Sequence, residues 1–113
     1  MSVHSVMIIS SHPLLAQGLK LLLEEHPHLG LSVVATTRDE AAALSLANRL
    51  QPRLVLWEAD VKAAHESGLL RALSSVKGAD VALLATRQDG RGSQAARAGG
   101  ARALLYHDGS VEE

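Results

Sequence analysis

The 113-residue sequence predicts an α/β fold in which a parallel sheet is wound on both faces by helices. Three observations carry this expectation. Short, wholly apolar runs such as Val6-Met7-Ile8-Ile9 and Val81-Ala82-Leu83-Leu84-Ala85 lack polar alternation, as strands covered on both faces do. The stretches between them carry leucines at helical spacing. Strands and helices alternating at this spacing imply right-handed crossovers between parallel strands. No linker, repeat or low-complexity tract interrupts the pattern, so residues 1–113 read as one domain.

The elements follow in order. Val6 to Ile9 is the first strand and ends in Ser10-Ser11. His12-Pro13 opens a helix, because proline suits a first turn where its missing N–H would have no intrahelical partner. Leu15, Leu19, Leu22 and Leu23 continue it until Glu24-Glu25-His26-Pro27 closes it. After Gly30 the β-branched run over 31–36 is a second strand. Thr37-Arg38-Asp39-Glu40 matches a capping box, in which the threonine hydroxyl takes one amide of the first turn and the glutamate reaches back to another. This second helix passes Leu44, Ala47 and Leu50 and stops at Gln51-Pro52, since a residue before proline is pushed out of the α region. Leu54 to Trp57 is the third strand, and 67–76 a helix with Leu69, Leu70, Leu73 and Val76 on one stripe. Residues 81–85 form the fourth strand and Ala103 to Tyr106 the fifth. Between these two, 88–99 holds almost no large apolar residue, so a helix over 93–98 is poorly anchored. Ser110-Val111-Glu112-Glu113 reads as the capped first turn of a last helix, truncated or supplied elsewhere, which leaves the flank of the fifth strand uncovered.

Composition excludes several functions. Hydrophobic residues at 47% and a mean hydropathy of +0.10 suit a packed core. No apolar run approaches the roughly 20 residues of a membrane helix, and the first residues lack a signal-peptide pattern, so the expected address is cytoplasmic. With no cysteine, disulfides and thiolate chemistry are excluded. Eleven basic against twelve acidic residues, with the arginines scattered, do not make a nucleic-acid surface.

In an open parallel sheet, chemistry gathers at the carboxyl ends of the strands. Those ends hold Ser10, Ser11 and His12, then Glu58, then Ala85 and Thr86, then His107. Together with His12-Pro13-Leu14, Gly18-Leu19, Leu22-Leu23-Glu24, Gln51-Pro52, Leu69 to Leu73 and Ala98 to Ala103, the chain resembles the receiver domains of NarL/FixJ (LuxR-type) response regulators. The resemblance implies a flavodoxin-like, doubly wound sheet of five parallel strands in the order 2-1-3-4-5. It also implies a DNA-binding domain beyond residue 113.

Against the pattern this resemblance implies, the site departs at nearly every position. The family's acidic pair after the first strand is matched by Ser10 and Ser11, which removes two carboxylate ligands for magnesium. The phosphate-accepting aspartate is matched by Glu58, whose extra methylene misplaces a nucleophile by about 1 to 1.5 Å. Ala85 stands for the hydroxyl residue after the fourth strand, and Thr86 beside it points to the other face. His107 stands for the lysine, and Leu104 for the aromatic switch residue of the fifth strand. Lys62 and Glu66 occupy the loop where a proline and a glycine are usual. Phosphoryl transfer relies on positioning and charge neutralisation, and the residues that supply them are missing.

Other residues admit two readings. Glu58 is either a partial imitation of a phosphorylated aspartate, with one negative charge against about 1.5 to 2, or a solvated loop carboxylate. His12 beside two serines invites a hydrolase reading, but no Gly-x-Ser-x-Gly turn occurs and a structural role is the better account. His26 and His28 are read as solvated side chains before metal ligands, and Trp57 as packing under the third helix before a ligand platform. Glu58 and His107 are expected at the same end of the sheet, as a latch or as separate solvated groups.

The expected function is a phosphorylation-independent pseudo-receiver of a LuxR-type transcriptional regulator. It is not an enzyme, has no catalytic residue, metal or cofactor, and reaches DNA only through a domain outside this chain. It is expected to act by homodimerisation or by contact with a protein partner or small ligand, with Leu104, Leu105 and Tyr106 as interface. A stand-alone docking adaptor of the same fold and a conventional phosphorylated receiver are the alternatives.

Overall fold

The computed structural model describes residues 4–59, 64, 68–85, 100–106 and 111–112. In chain order these form β1 (His4–Ile9), α1 (Pro13–Glu24), a 3-10 turn (Pro27–Leu29), β2 (Leu31–Thr37), α2 (Glu40–Leu50) and β3 (Leu54–Glu58). They continue with α3 (Leu69–Ser74), β4 (Asp80–Ala85), β5 (Ala103–Tyr106) and β6 (Val111–Glu112). The first four strands pair in parallel in the expected order, β2-β1-β3-β4. The sheet then runs on through β5, parallel to β4, and β6, antiparallel to β5.

Crossover handedness distributes the helices. The β1–α1–β2 connection moves one way along the sheet and β2–α2–β3 moves back past β1, so two right-handed crossovers put α1 and α2 on opposite faces. On the α2 face, Met7, Ile9, Val55, Trp57, Val81, Leu83 and Ala85 of the sheet meet Ala43 and Ala47 of α2 and Leu70 and Leu73 of α3 in one buried cluster. The alternate strand residues Val6, Ile8 and Ala82 are buried on the other face. Covering that face, α1 carries six leucines and yet has no buried residue.

Three local expectations are corrected. The capping box does not form, because Thr37 is the last residue of β2. Asp39 is the N-cap instead, accepting from Ala41 N at 2.9 Å, while Thr37 Oγ1 accepts from Asp39 N at 3.1 Å. Glu40, the residue meant to reach back, accepts from Trp57 Nε1 at 3.1 Å, which supplies the polar partner a buried indole needs. The third helix is shorter than 67–76: the Ser74 and Ser75 hydroxyls bond back to the Leu70 and Arg71 carbonyls, and α3 ends at Ser74. Finally, Val111 and Glu112 form a strand where a helical turn was expected. The edge of β5 offers unpaired backbone groups, and antiparallel pairing of Leu105 with Val111 satisfies them directly. The helix expected over 93–98 lies outside the described residues.

Gly100 fixes the approach to β5. Its φ is +104°, and a Cβ there would sit 2.7 Å from Ser74 Cβ and Oγ. Gly100→Ala should therefore lower stability by about 1 to 3 kcal/mol through combined backbone strain and overlap, as read from the urea midpoint at unchanged slope.

Candidate functional site

The strand order reverses at β1, so the carboxyl ends of β1 and β3 lie side by side where the connections diverge. The first brings Ser10 and His12, the second Glu58. Ser10 continues the ladder by donating its N–H to Thr37 O at 2.9 Å, which holds the chain straight past the end of β1. His12 is the N-cap residue of α1, in extended conformation, and Pro13 sets the first turn.

These side chains close on one another. Ser10, only 3% exposed, donates its hydroxyl to Glu58 Oε1 at 3.0 Å and accepts from His12 N at 3.0 Å. Its oxygen also lies 3.3 Å from His12 O, the other orientation open to its single hydrogen. His12 Nδ1 meets the same Glu58 oxygen at 2.8 Å. The Glu58 side chain is 7% exposed, whereas that of His12 is 65% exposed. A carboxylate withdrawn from water needs donors, and here two residues from the neighbouring strand end supply them. With Nδ1 occupied, the Nε2 edge of the imidazole is the one left for an outside partner.

The histidine that meets Glu58 is thus His12, which the sequence reading treated as structural; His107 lies outside the described residues. The signal was present in the spacing, since His12 stands two residues past the end of a strand adjacent to β3. Ser11 is exposed and joins none of these bonds, and Ala85 is buried in the core cluster and offers no hydroxyl. Thr86, Lys62 and Glu66 are outside the described residues, as are the side chains of Leu104, Leu105 and Tyr106, whose backbone forms β5. His26 Nδ1 bonds the Leu22 carbonyl at 2.8 Å and its ring stands edge-on to that of His28, 5.6 Å between centroids, an arrangement of two surface rings.

The receiver resemblance implies magnesium here, and the donor set does not suit it. Magnesium asks for octahedral oxygen ligands, carboxylates first. Ser10 and Ser11 bring neutral hydroxyls, and the near oxygen of the one carboxylate already accepts two hydrogen bonds. Among the described residues no three His, Cys, Asp or Glu side chains gather as a metal site.

No family model matches the chain. It is 41% identical over 68 residues to the nitrate/nitrite response regulator protein NarP of Escherichia coli K12, a match covering 60% of this chain and 31% of NarP. The chain thus spans about a third of that relative. Among solved structures, the signal receiver domain of the NarL response regulator from Mycobacterium tuberculosis superposes with a TM-score of 0.82 at 21% identity, covering 97% of this chain and 88% of that one. RcsB from Salmonella enterica serovar Typhimurium, solved bound to the rprA promoter, gives 0.77 at 14% identity over 95% of this chain and 61% of that one. The chain has the flavodoxin-like receiver fold of response regulators. No helix among the described residues is long and apolar enough to cross a membrane.

The Ser10 bond has a measurable worth. Ser10→Ala leaves a nearly buried carboxylate short of one donor and should cost about 1.5 to 3 kcal/mol, the range for hydrogen bonds to charged groups. His12→Ala, at a mostly exposed position, should cost under about 1 kcal/mol. Equilibrium urea unfolding of the two variants ranks them.

Proposed function

We propose that the chain is a receiver domain of a NarL/LuxR-type response regulator that works without aspartyl phosphorylation. The observation that carries this reading is the closure of Glu58 on Ser10 and His12. The residue at the phosphoacceptor position is a glutamate, 7% exposed, and its near oxygen is held by two internal donors. An in-line attack needs a nucleophile free to meet phosphorus and cations to neutralise the charge that develops. The serines beside Glu58 supply no charge for a cation to bind, so the domain has no catalytic chemistry of its own.

The similarity to NarP over 68 residues and the likeness of fold to NarL and to promoter-bound RcsB support placing the domain in a cytoplasmic two-component-type regulator. On this reading DNA is contacted by a separate domain beyond residue 113, and the receiver-fold domain sets that output through protein contact, as a homodimer. The near-balanced charge of −1 suits a domain that meets protein surfaces before phosphates. A helix-turn-helix segment in the parent reading frame after Glu113 distinguishes this from a stand-alone adaptor.

Incubation with acetyl phosphate and magnesium, followed by intact mass, is expected to show no added phosphoryl group. A hydroxylamine-labile adduct that disappears in Glu58→Gln would overturn the proposal, because that lability marks an acyl phosphate.

A further inference from the structure

We propose that the groove between α2 and α3 binds a small organic ammonium ion with an apolar body, held by the Glu40 carboxylate. The groove has a volume of about 420 Å³ and is lined by Glu40, Ala41 and Leu44 of α2 and by Gly68, Leu69 and Ala72 at α3. Small-ligand sites span roughly 300 to 1,000 Å³. Glu40 is the one polar side chain in this lining.

The walls suit an apolar occupant. Leu44 and Leu69 pack on one side against the buried cluster of the sheet, α2 and α3, and are only partly buried. Gly68 has a φ of +78°, a conformation that favours glycine, and a Cβ there would meet nothing within 4 Å, so this wall stays open. A hydrocarbon body set between the two leucines removes their remaining apolar surface from water. The six residues of α3 make a wall of about 9 Å, long enough for a compact molecule and short for a partner helix.

Charge selects the head group. Glu40 is exposed, and its Oε2 accepts from the indole N–H of buried Trp57 at 3.1 Å. Among the described residues its Oε1 has neither a hydrogen-bond nor an ion-pair partner. An ionised carboxylate only accepts, so the group that meets Oε1 has to donate. Asp39 brings a second carboxylate to the same end of α2, its cap bond to Ala41 N already made. Two adjacent acids favour a cation over a neutral donor and repel an anion. A guanidinium fork is matched by two open oxygens and an ammonium by one, and one is open here.

The indole ties this groove to the end of β3, because Glu58 directly follows Trp57. As an input to a domain that takes up no phosphoryl group, the site rests on that reading of the domain. The binding itself does not, and neither phosphoryl transfer nor oligomeric state enters its test, so the two proposals fail separately.

Trp57 is the only tryptophan, so its emission reports on Glu40. Phenethylamine, a cation near neutral pH, is titrated into the full chain and followed by tryptophan emission and by amide shifts in isotope-labelled protein. Phenethyl alcohol and hydrocinnamate serve as its neutral and anionic counterparts. The amine is expected to saturate with a Kd of about 0.1 to 5 mM, as suits a small ligand in an open groove. It should move the amides of Ala41, Leu44, Leu69 and Ala72. The alcohol should bind at least about tenfold more weakly, and the carboxylate should not bind. Glu40→Gln keeps an acceptor for the indole, removes the charge and should abolish the preference for the amine over the alcohol. Ala72→Leu fills the groove with a good helix former and should weaken the amine at least about tenfold while Tm holds. Unmoved amides up to about 20 mM amine overturn the proposal, as do equal binding of the three probes or an affinity that both variants leave unchanged. Saturation by the capped tripeptide Leu-Lys-Leu with none by the amine also overturns it, in favour of a protein side chain.

Discussion

Because β1 lies between β2 and β3 in a sheet whose first five strands run the same way, its carboxyl end meets that of β3 where the two connections leave for opposite faces. Everything at the candidate site follows from this reversal. It sets the loop before α1 against the last residue of β3, and the carboxylate that ends β3 is left with 7% of its side chain exposed. A charge so placed costs several kcal/mol unless donors reach it. Ser10 and His12 are the residues within reach, and both converge on a single oxygen.

The same reversal makes the two faces of the sheet unequal. On one side α2 and α3 seal a cluster in which Trp57 is fully enclosed and its indole N–H is met by Glu40. On the other, Val6 and Ile8 are buried while Leu54, Leu56 and Leu84 are only partly buried, and α1 lies over them without burying any residue of its own. The first face accounts for most of the stabilising burial. The second keeps apolar surface in contact with water, at a cost of roughly 25 cal/mol per Å² relative to covering it.

Much of this was legible in the sequence, and the misses share one cause. Apolar runs located β1, β3 and β4, and Pro13 and Pro52 marked the start of α1 and the end of α2, because these are local effects that hold whatever surrounds them. The misassigned residues are those whose polar group had two possible partners. Thr37 and Glu40 fit a capping box as a string, but the strand claimed the threonine and Trp57 claimed the glutamate. Val111 and Glu112 fit a helical turn as a string, but the edge of β5 offered hydrogen bonds at once. The bond between His12 and Glu58 has no local signature, since pairing across 46 residues depends on which strand ends are adjacent. Fold-level adjacency, once known, names His12 without further information.

A domain of this kind can report a signal only if some partner distinguishes two of its states. In a phosphorylated receiver the covalent charge supplies that difference at the end of β3. Where Glu58 is already met by Ser10 and His12, the difference has to enter elsewhere, through a surface whose contacts change. His12 is placed to couple the two: Nδ1 holds Glu58, the ring is two-thirds exposed, and its backbone begins α1. The coupling can be no larger than the difference in contact energy between the open and closed arrangements of His12. A bond at a mostly exposed histidine is worth about 1 kcal/mol or less, so a contact made at His12 would tilt the carboxylate cluster by a few-fold rather than switch it outright.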